Sequence, residues 1–197
     1  MKRNIQLATL ALALASSVAL ADNMMNVGGE DMSPAKHNTV IVGGEDMFPA
    51  KDIIQNAVNS KDHTTLVAAV KAAGLVETLE GAGPFTVFAP TDAAFGKLPA
   101  GTVENLVKPE NKDTLTKILT YHVVAGNLTF KELAKKIRAG KGKAMITTVA
   151  GEELTVMMNG EHNIVLKDSK GNIANISTYD VIQSNGVIHV IDSVLMP

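Results

Sequence analysis

Apolar residues in the first half of the chain recur every three or four positions, the spacing of amphipathic helices. The first such run begins after Asp52, and the second is capped by Asp62 and ends before Gly74. Thr129 and Glu132 fit a capping box that opens a later helix. The buried stripe of that helix is predicted to consist of Phe130, Leu133, Ala134 and Ile137. Shorter helices are predicted around residues 103–107 and 112–120.

The hydrophobic period changes to two beyond Gly140, as expected of half-buried strands. The predicted strands are residues 145–149, 153–158, 163–167, 172–179 and 187–195. An earlier strand at residues 85–89 stops at Pro90, after which Thr91 or Asp92 can cap a helical turn. Helices followed by a meander of strands predict an α+β fold rather than a doubly wound parallel sheet.

Residues 1–21 have the layout of a secretory signal peptide. Lys2 and Arg3 precede an apolar run at residues 7–20, and Ala-Leu-Ala at residues 19–21 matches an A-x-A cleavage site. The competing interpretation is a membrane anchor, but polar residues interrupt the run, which is shorter than the roughly 18 to 20 apolar residues of a spanning helix. We therefore expect a secreted or periplasmic protein. No later segment of the sequence is long and apolar enough to span a membrane.

Residues 22–51 contain a tandem repeat with a period of 15. The copies at residues 27–36 and 42–51, VGGEDMSPAK and VGGEDMFPAK, differ at one position. Two copies of so short a period do not bury a core, so the pattern predicts a flexible leader rather than a repeat fold. Calcium binding by the Glu-Asp pairs is an alternative, but the copies lack the alternating oxygen ligands of a calcium loop. The folded domain is expected to span residues 52–197.

Charge and composition exclude several classes of partner and cofactor. The chain has 18 Lys and Arg residues against 20 Asp and Glu residues, and loss of Lys2 and Arg3 with the signal peptide would leave 16 against 20, a net charge of −4. The basic excess that nucleic-acid binding requires is missing. The absence of Cys excludes disulfides, Cys-ligated zinc and iron–sulfur clusters, and the histidines lack metal-ligand spacing. We expect neither a metal nor another cofactor.

Two segments resemble the signature boxes of the fasciclin domain family. They are TVFAPTDAAF at residues 86–95 and GVIHVIDSVLMP at residues 186–197. Between them, LTYHVV at residues 119–124 resembles the family's Tyr-His motif, and Asp52-Ile53 resembles its amino-terminal Asp-Ile element. All four elements occur in the family's order. The chain resembles short bacterial secreted proteins with one such domain.

The resemblance implies a fold and a function. The implied fold is a β-sheet wedge with several helices packed against it, and the implied role is non-enzymatic adhesion or interaction at the cell surface or in the extracellular matrix, without a cofactor. The elements carried over as candidate contacts are Asp52, Ile53, Tyr121 and His122. The expected partner is a cell-surface or matrix protein or an anionic polysaccharide. The alternative is a periplasmic protein that binds or senses a small molecule in an apolar groove between helices and sheet.

His122 lies in an apolar run, where a buried imidazole needs hydrogen-bond partners. We predict a structural polar cluster in which Thr91 or Asp92 bonds to His122. The catalytic alternative is a triad of Asp92, His122 and a Ser or Thr, but the chain has no G-x-S-x-G elbow. We therefore predict that the protein is not an enzyme. Alternation along the last strand predicts that His189 is half-exposed.

The helix after Thr129 has the most polarised charge distribution in the sequence. Its bases are Lys131, Lys135 and Arg138 at i, i+4 and i+7, joined nearby by Lys136, Lys141 and Lys143. A stripe of this kind is usually the solvated face of an amphipathic helix. The alternative hypothesis is a binding surface for an anionic polysaccharide, anionic lipid headgroups or the acidic patch of a partner. Binding would then weaken as salt rises.

Overall fold

The computed structural model describes residues 39–160 and 162–197, so the predicted signal peptide and the first copy of the repeat lie outside the described residues. The helices are α1 (Ile53–Ala57), α2 (Thr64–Ala73), α3 (Val76–Glu80), α4 (Asp92–Gly96), α5 (Thr102–Leu106), α6 (Lys112–Tyr121) and α7 (Phe130–Ala139), with a 3-10 turn at Pro109–Asn111. The strands are β1 (Val40–Val42), β2 (Glu45–Met47), β3 (Phe85–Pro90), β4 (Val123–Ala125), β5 (Lys143–Thr147), β6 (Glu153–Asn159), β7 (Asn163–Lys167), β8 (Ile173–Gln183) and β9 (Gly186–Ile191).

Strands β3 to β9 form one mixed sheet of seven strands in the order β4-β3-β9-β8-β7-β6-β5. Neighbouring strands are antiparallel except for β3 and β9, which are parallel. The two edge strands of the sheet, β4 and β5, lie close together. The N–H of Val149, just after β5, donates to the carbonyl of Val123 in β4 at 2.7 Å. The sheet is therefore nearly closed into a barrel, and helices pack against it. The predicted α+β class is confirmed.

The central strands of this sheet are buried on both faces. Val87 and Ala89 of β3 belong to a core shared with α1, α2 and α6, whereas Phe88 between them belongs to a second core shared with α7. The same division separates Ile188 from Ile191 in β9. A strand covered on both faces has a nearly continuous apolar sequence, which is why β3 and β9 stand out in the chain.

Residues 40–51 pack on the domain, which corrects the predicted flexible leader for the second copy of the repeat. Strands β1 and β2 form a hairpin whose two-residue turn, Gly43-Gly44, has positive φ at both positions, as in a type I′ turn. Val42 and Met47 are only 8% and 3% exposed and join the core with α1 and α2. The prediction was wrong because it assumed that the copies would be ordered only if they could bury a core of their own. The second copy instead packs on a core that the rest of the chain provides.

Every predicted helix and strand is present, with ends shifted by a few residues. The elements that the pattern did not predict are β1, β2, α3 and β4. Strand β8 continues to Gln183 through a register irregularity near Asp180, whose φ is 53°. Strand β9 ends at Ile191, and residues 192–197 form a carboxyl-terminal segment outside the helices and strands. Within the described part of the chain, no helix is both long and apolar enough to cross a membrane.

Candidate functional site

The basic residues predicted to form one surface are all exposed to solvent. We call them the basic surface, which consists of Lys131, Lys135, Lys136 and Arg138 on α7, Lys141 in the following turn and Lys143 at the start of β5. Residues four and seven positions apart share one face of a helix. Lys131, Lys135 and Arg138 therefore project in the same direction. The stripe is therefore exposed, and its role as a binding surface stays a prediction.

The six cations of the basic surface form no ion pair with a carboxylate in the described residues, and Glu132 is the one acidic residue on α7. The ion pairs in this part of the chain involve other lysines, namely Lys61 with Glu45, Lys97 with Asp192 and Lys117 with Glu152. Uncompensated like charges on one face produce a positive potential that extends about 8 Å into solution at physiological salt. This face is therefore suited to bind an anionic partner.

The helix that carries the basic surface is firmly attached to the domain. Leu133 and Ile137 on its inner face are completely buried, which confirms the predicted apolar stripe. The Thr129 hydroxyl accepts the backbone N–H of Glu132 at 3.5 Å and caps the helix. The N–H of Phe130, the first residue of the helix, donates to the Asp180 carboxylate in β8 at 2.7 Å. A rigid helix presents its charges without the entropy loss of ordering a loop on binding.

The residues carried over from the resemblance as candidate contacts are structural. Ile53, Tyr121 and His122 are 2%, 0% and 3% exposed, so none of them reaches a partner on the surface. Asp52 is half-buried and caps α1, where its carboxylate accepts the backbone N–H of Gln55 at 2.7 Å. The prediction that the first three contact a partner is wrong, because the pattern that made them recognisable reflects packing.

His122 connects the end of α6 to the carboxyl-terminal segment. The N–H of Leu195 donates to Nε2 of His122 at 3.0 Å, so the proton of the neutral ring is on Nδ1, which donates to the carbonyl of Ile118 at 2.8 Å. Burial lowers the pKa of His122 to about 4, although the Ile118 carbonyl and the charge of Asp168 favour the protonated form. The ring is therefore neutral and fully hydrogen-bonded at physiological pH.

The predicted polar cluster of Thr91, Asp92 and His122 does not form. Thr91 caps α4 with its hydroxyl. The carboxylate of Asp92 accepts the hydroxyl of Thr64 at 2.6 Å and the N–H of Thr65 at 2.8 Å, at the start of α2. Partial burial raises the pKa of Asp92, but these hydrogen bonds outweigh burial and lower it. The cluster prediction was wrong because a sequence does not show which elements meet at a polar side chain.

We expect Thr91→Ala to lower the free energy of unfolding by about 1 kcal/mol, the usual contribution of an N-cap. Because Thr91 and His122 share no hydrogen-bond partner, Thr91→Ala and His122→Gln should be additive within about 0.5 kcal/mol. Urea unfolding of the wild type, both single variants and the double variant measures the coupling. A coupling free energy above about 1 kcal/mol would instead show that the predicted cluster exists in solution.

The fasciclin domain family model matches residues 61–197. Protein sll1483 of Synechocystis is 50% identical over 147 residues, which cover 74% of this chain and 73% of that protein. This chain belongs to the fasciclin domain family.

Two further similarities concern a surface protein and a solved structure. Cell surface glycolipoprotein MPB83 of Mycobacterium bovis is 36% identical over 146 residues, which cover 72% of this chain and 58% of that protein. The FAS1 domain pair from the insect cell adhesion molecule fasciclin I aligns with a TM-score of 0.65 and 21% identity, covering 75% of this chain and 51% of that chain. The present chain thus spans about half of the insect chain, and the alignment shows a shared fold.

The two signature boxes of this fasciclin domain are neighbours in space. The first box forms β3 and α4 and the second forms β9, and the two strands pair in parallel with Phe88 opposite His189. His189 is completely buried, which corrects the half-exposed position predicted from alternation. Its Nε2–H donates to the carbonyl of Leu128 at 2.7 Å, and its Nδ1 accepts the N–H of Asp180 at 3.3 Å. Burial lowers the pKa of His189.

Asp168 is a second buried polar centre of the fasciclin domain, and sequence reasoning missed it. Its carboxylate accepts the N–H groups of Lys170 and Asn172 in a tight turn at 3.0 and 2.8 Å. The same carboxylate accepts the N–H of Met196 at 3.0 Å. Together with the bond from Leu195 to His122, this contact fixes the carboxyl-terminal segment. The local signal was the order Asp-Ser-Lys-Gly-Asn, typical of an Asx turn.

One serine and one histidine in the fasciclin domain lie as close together as a catalytic serine and its histidine base. Ser60 Oγ lies 2.8 Å from His63 Nδ1, but both residues are only 3% exposed, so no substrate carbonyl reaches the hydroxyl. His63 Nε2, which has no hydrogen-bond partner among the described atoms, lines a small apolar cavity. Burial lowers the pKa of His63. In the described residues, no three His, Asp or Glu side chains are placed to share a metal ion.

An apolar cavity lies between the helices and the sheet, where the small-molecule alternative requires one. It is lined by side chains of α1, α2, α3, α6, β3 and β4, among them Ile54, Val70 and Leu119. Its volume is about 60 Å³. Ligand pockets usually enclose roughly 300–1,000 Å³, and a cavity that admits benzene has about 150 Å³. The size of this cavity therefore counts against the small-molecule alternative.

Proposed function

We propose that this fasciclin domain is a secreted or periplasmic interaction module, without enzymatic activity, that binds an anionic polysaccharide or an acidic protein at the cell surface or in the extracellular matrix. The observation that carries the proposal is the basic surface on α7, whose cations are exposed and lack ion-pair partners in the described residues. The predicted signal peptide supports export. The names of two relatives, a cell surface glycolipoprotein and a cell adhesion molecule, support a role at the surface.

The strength of single ion pairs favours a partner with many negative charges. One exposed pair contributes only about 0.2–1 kcal/mol, so a single carboxylate would bind too weakly to be retained. A polyanion engages several cations of the basic surface at once, and each further contact forms within the same complex. A polysaccharide with regularly spaced carboxylates has this property. We therefore expect affinity to depend strongly on salt.

We expect the triple variant Lys131→Glu, Lys135→Glu and Arg138→Glu to reduce retention on immobilised alginate, a carboxylated polysaccharide, by at least about tenfold at low salt. The reason is that three cations facing one direction become anions. Retention of residues 22–197 is measured over a salt series, with neutral dextran as the reference matrix. The wild type should elute progressively earlier as salt rises, and the variant should not be retained.

A matched control changes the same amount of charge elsewhere. Lys71, Lys108 and Lys112 are exposed and lie outside the basic surface, so their replacement by Glu should leave most of the retention intact. Equal loss in both triple variants would show that net charge, and not the basic surface, governs binding. Retention that is independent of salt, or that persists in the α7 variant, would contradict the proposal.

A further inference from the structure

Three cations of the basic surface form a row along α7, which we call the cationic row. Lys131, Lys135 and Arg138 lie within about 60° of each other around the helix axis, because each residue turns the helix by about 100°. Along the axis their positions are separated by about 6 Å and then by about 4.5 Å, at a rise of about 1.5 Å per residue. The cationic row is therefore about two helical turns long.

The segment that carries the row exposes charges but no large apolar side chain. None of the exposed large apolar residues in the described part of the chain lies between residues 129 and 143. Leu133 and Ile137 are completely buried, and the half-buried ring of Phe130 packs edge-on against Tyr179. Protein–protein interfaces depend on apolar or aromatic side chains that become buried at their centre. The composition of this face therefore favours a hydrophilic polyanion over an acidic protein.

Backbone contacts hold the helix and the turn that follows it in one arrangement. The N–H of Gly140 donates to the carbonyl of Lys136 and the N–H of Gly142 to that of Ile137, both at 2.9 Å. A Cβ at Gly140 would clash with the carbonyl of Lys143, so the turn is tight. The spacing of the row is thus a property of the folded domain. A ligand has to match this spacing, and only the flexible stems of the lysines adapt to it.

The spacing of the row matches one class of polysaccharide. A linear polyuronate carries a carboxylate on every sugar ring, so neighbouring carboxylates are one ring apart, a distance comparable with the helical pitch of about 5.4 Å. A polymer with a carboxylate on every second ring reaches Lys131 and Arg138 but leaves Lys135 without a partner. Resting on the function proposed above, we propose that the basic surface binds a polyuronate along α7, with carboxylates of three successive rings at the three cations.

Two oligosaccharides with three carboxylates each separate the effect of spacing from that of charge. Trigalacturonate carries its carboxylates on successive rings, and a hyaluronan hexasaccharide carries them on alternate rings. The dissociation constants for residues 22–197 are measured at low salt by NMR titration of the backbone amides. We expect trigalacturonate to bind about fivefold more tightly, the upper value for one additional exposed ion pair. The largest shifts should fall on α7.

A variant with unchanged charge tests the row itself. Lys135→Ala combined with Ala139→Lys keeps the number of cations on α7 but leaves a gap of about 10.5 Å between Lys131 and Arg138. Ala139 is exposed, so a lysine is accommodated there without loss of packing, and the urea midpoint should not change. We expect the preference for trigalacturonate to disappear in this variant, because the middle carboxylate loses its partner. The affinity for the hyaluronan hexasaccharide should stay the same.

The outcomes distinguish this inference from the proposed function. Equal affinity of the wild type for both oligosaccharides, or a preference that persists in the relocated variant, would overturn the inference and leave polyanion binding by the basic surface intact. The inference also fails if alginate is retained but trigalacturonate does not bind. Absence of binding to both oligosaccharides and to alginate would overturn the proposed function as well. Tighter binding of an acetylated tri-glutamate peptide than of trigalacturonate would assign the surface to an acidic protein instead.

Discussion

The free energy of unfolding is expected to fall by roughly 3 kcal/mol or more as the pH decreases from about 7 to about 4, because three buried histidines must stay neutral in the folded state. Burial lowers the pKa of His122 from 6.5 to about 4. The pKa values of His189 and His63 are lowered by burial as well. Between about pH 6.5 and 4 the unfolded chain therefore binds protons that the folded chain does not. Stability is complete above this window and is lost as the pH falls through it.

Carboxylates act in a separate, more acidic range. Hydrogen bonds outweigh partial burial and lower the pKa values of Asp92 and Asp192 below their usual 3.8, so the stability that these groups contribute is lost only as the pH falls below that value. Urea unfolding measured at half-unit intervals down to about pH 4 thus reports mainly on the histidines. His122→Gln, which cannot titrate there, should be less stable at pH 7 but have a flatter pH dependence. A slope unchanged by His122→Gln would contradict the assignment.

His122→Ala is expected to lower the free energy of unfolding by about 3–4 kcal/mol at pH 7. The substitution leaves two buried backbone groups without partners, the carbonyl of Ile118 and the N–H of Leu195. Each such group contributes about 1–3 kcal/mol of destabilisation, and the space left by the ring adds more. The carboxyl-terminal segment, which the Leu195 bond holds in place, should exchange its amide hydrogens faster.

Conservative substitutions of His122 distinguish the contributions of its two hydrogen bonds, one made by Nε2 and the other by Nδ1. Gln places a polar atom near the position of Nε2 and Asn near that of Nδ1, so each should recover part of the loss, whereas Ala recovers none. Lys135→Ala, on the exposed face of α7, is the control and should stay within about 0.5 kcal/mol of the wild type. A loss below about 1 kcal/mol for His122→Ala would show that water replaces the ring without penalty.

The basic surface could be predicted because it depends on local spacing alone. Lys131, Lys135 and Arg138 lie on the same face of any helix that spans them, and the apolar stripe opposite determines which face points to solvent. The family boxes were also recognisable locally, since β3 and β9 are nearly continuous apolar runs bounded by turn residues. Most of the secondary structure, the fold class and the exposed charges therefore followed from the order of residues along the chain.

The roles of polar residues depended on elements far apart in sequence. His122 bonds to Leu195, 73 positions later, and Asp168 bonds to Met196, 28 positions later. The predicted partners of His122 were nearer in sequence and chemically reasonable, but they are engaged elsewhere. His189 is likewise buried because Leu128, in the segment before α7, and the ring of Tyr179 in β8 lie against it, whereas alternation alone would leave it half-exposed.

The sequence by itself determined most of the helices and strands, the α+β class and the position of the basic stripe on α7, because these follow from hydrophobic periodicity within one element. Only the tertiary structure decided that β1–β2 packs on the domain, that Ile53, Tyr121 and His122 are buried, and which backbone groups the buried side chains bind. The physical reason is that hydrophobic periodicity shows which face of one element is apolar, but not which other elements pack against that face. Burial and hydrogen bonding depend on which other elements form the interior.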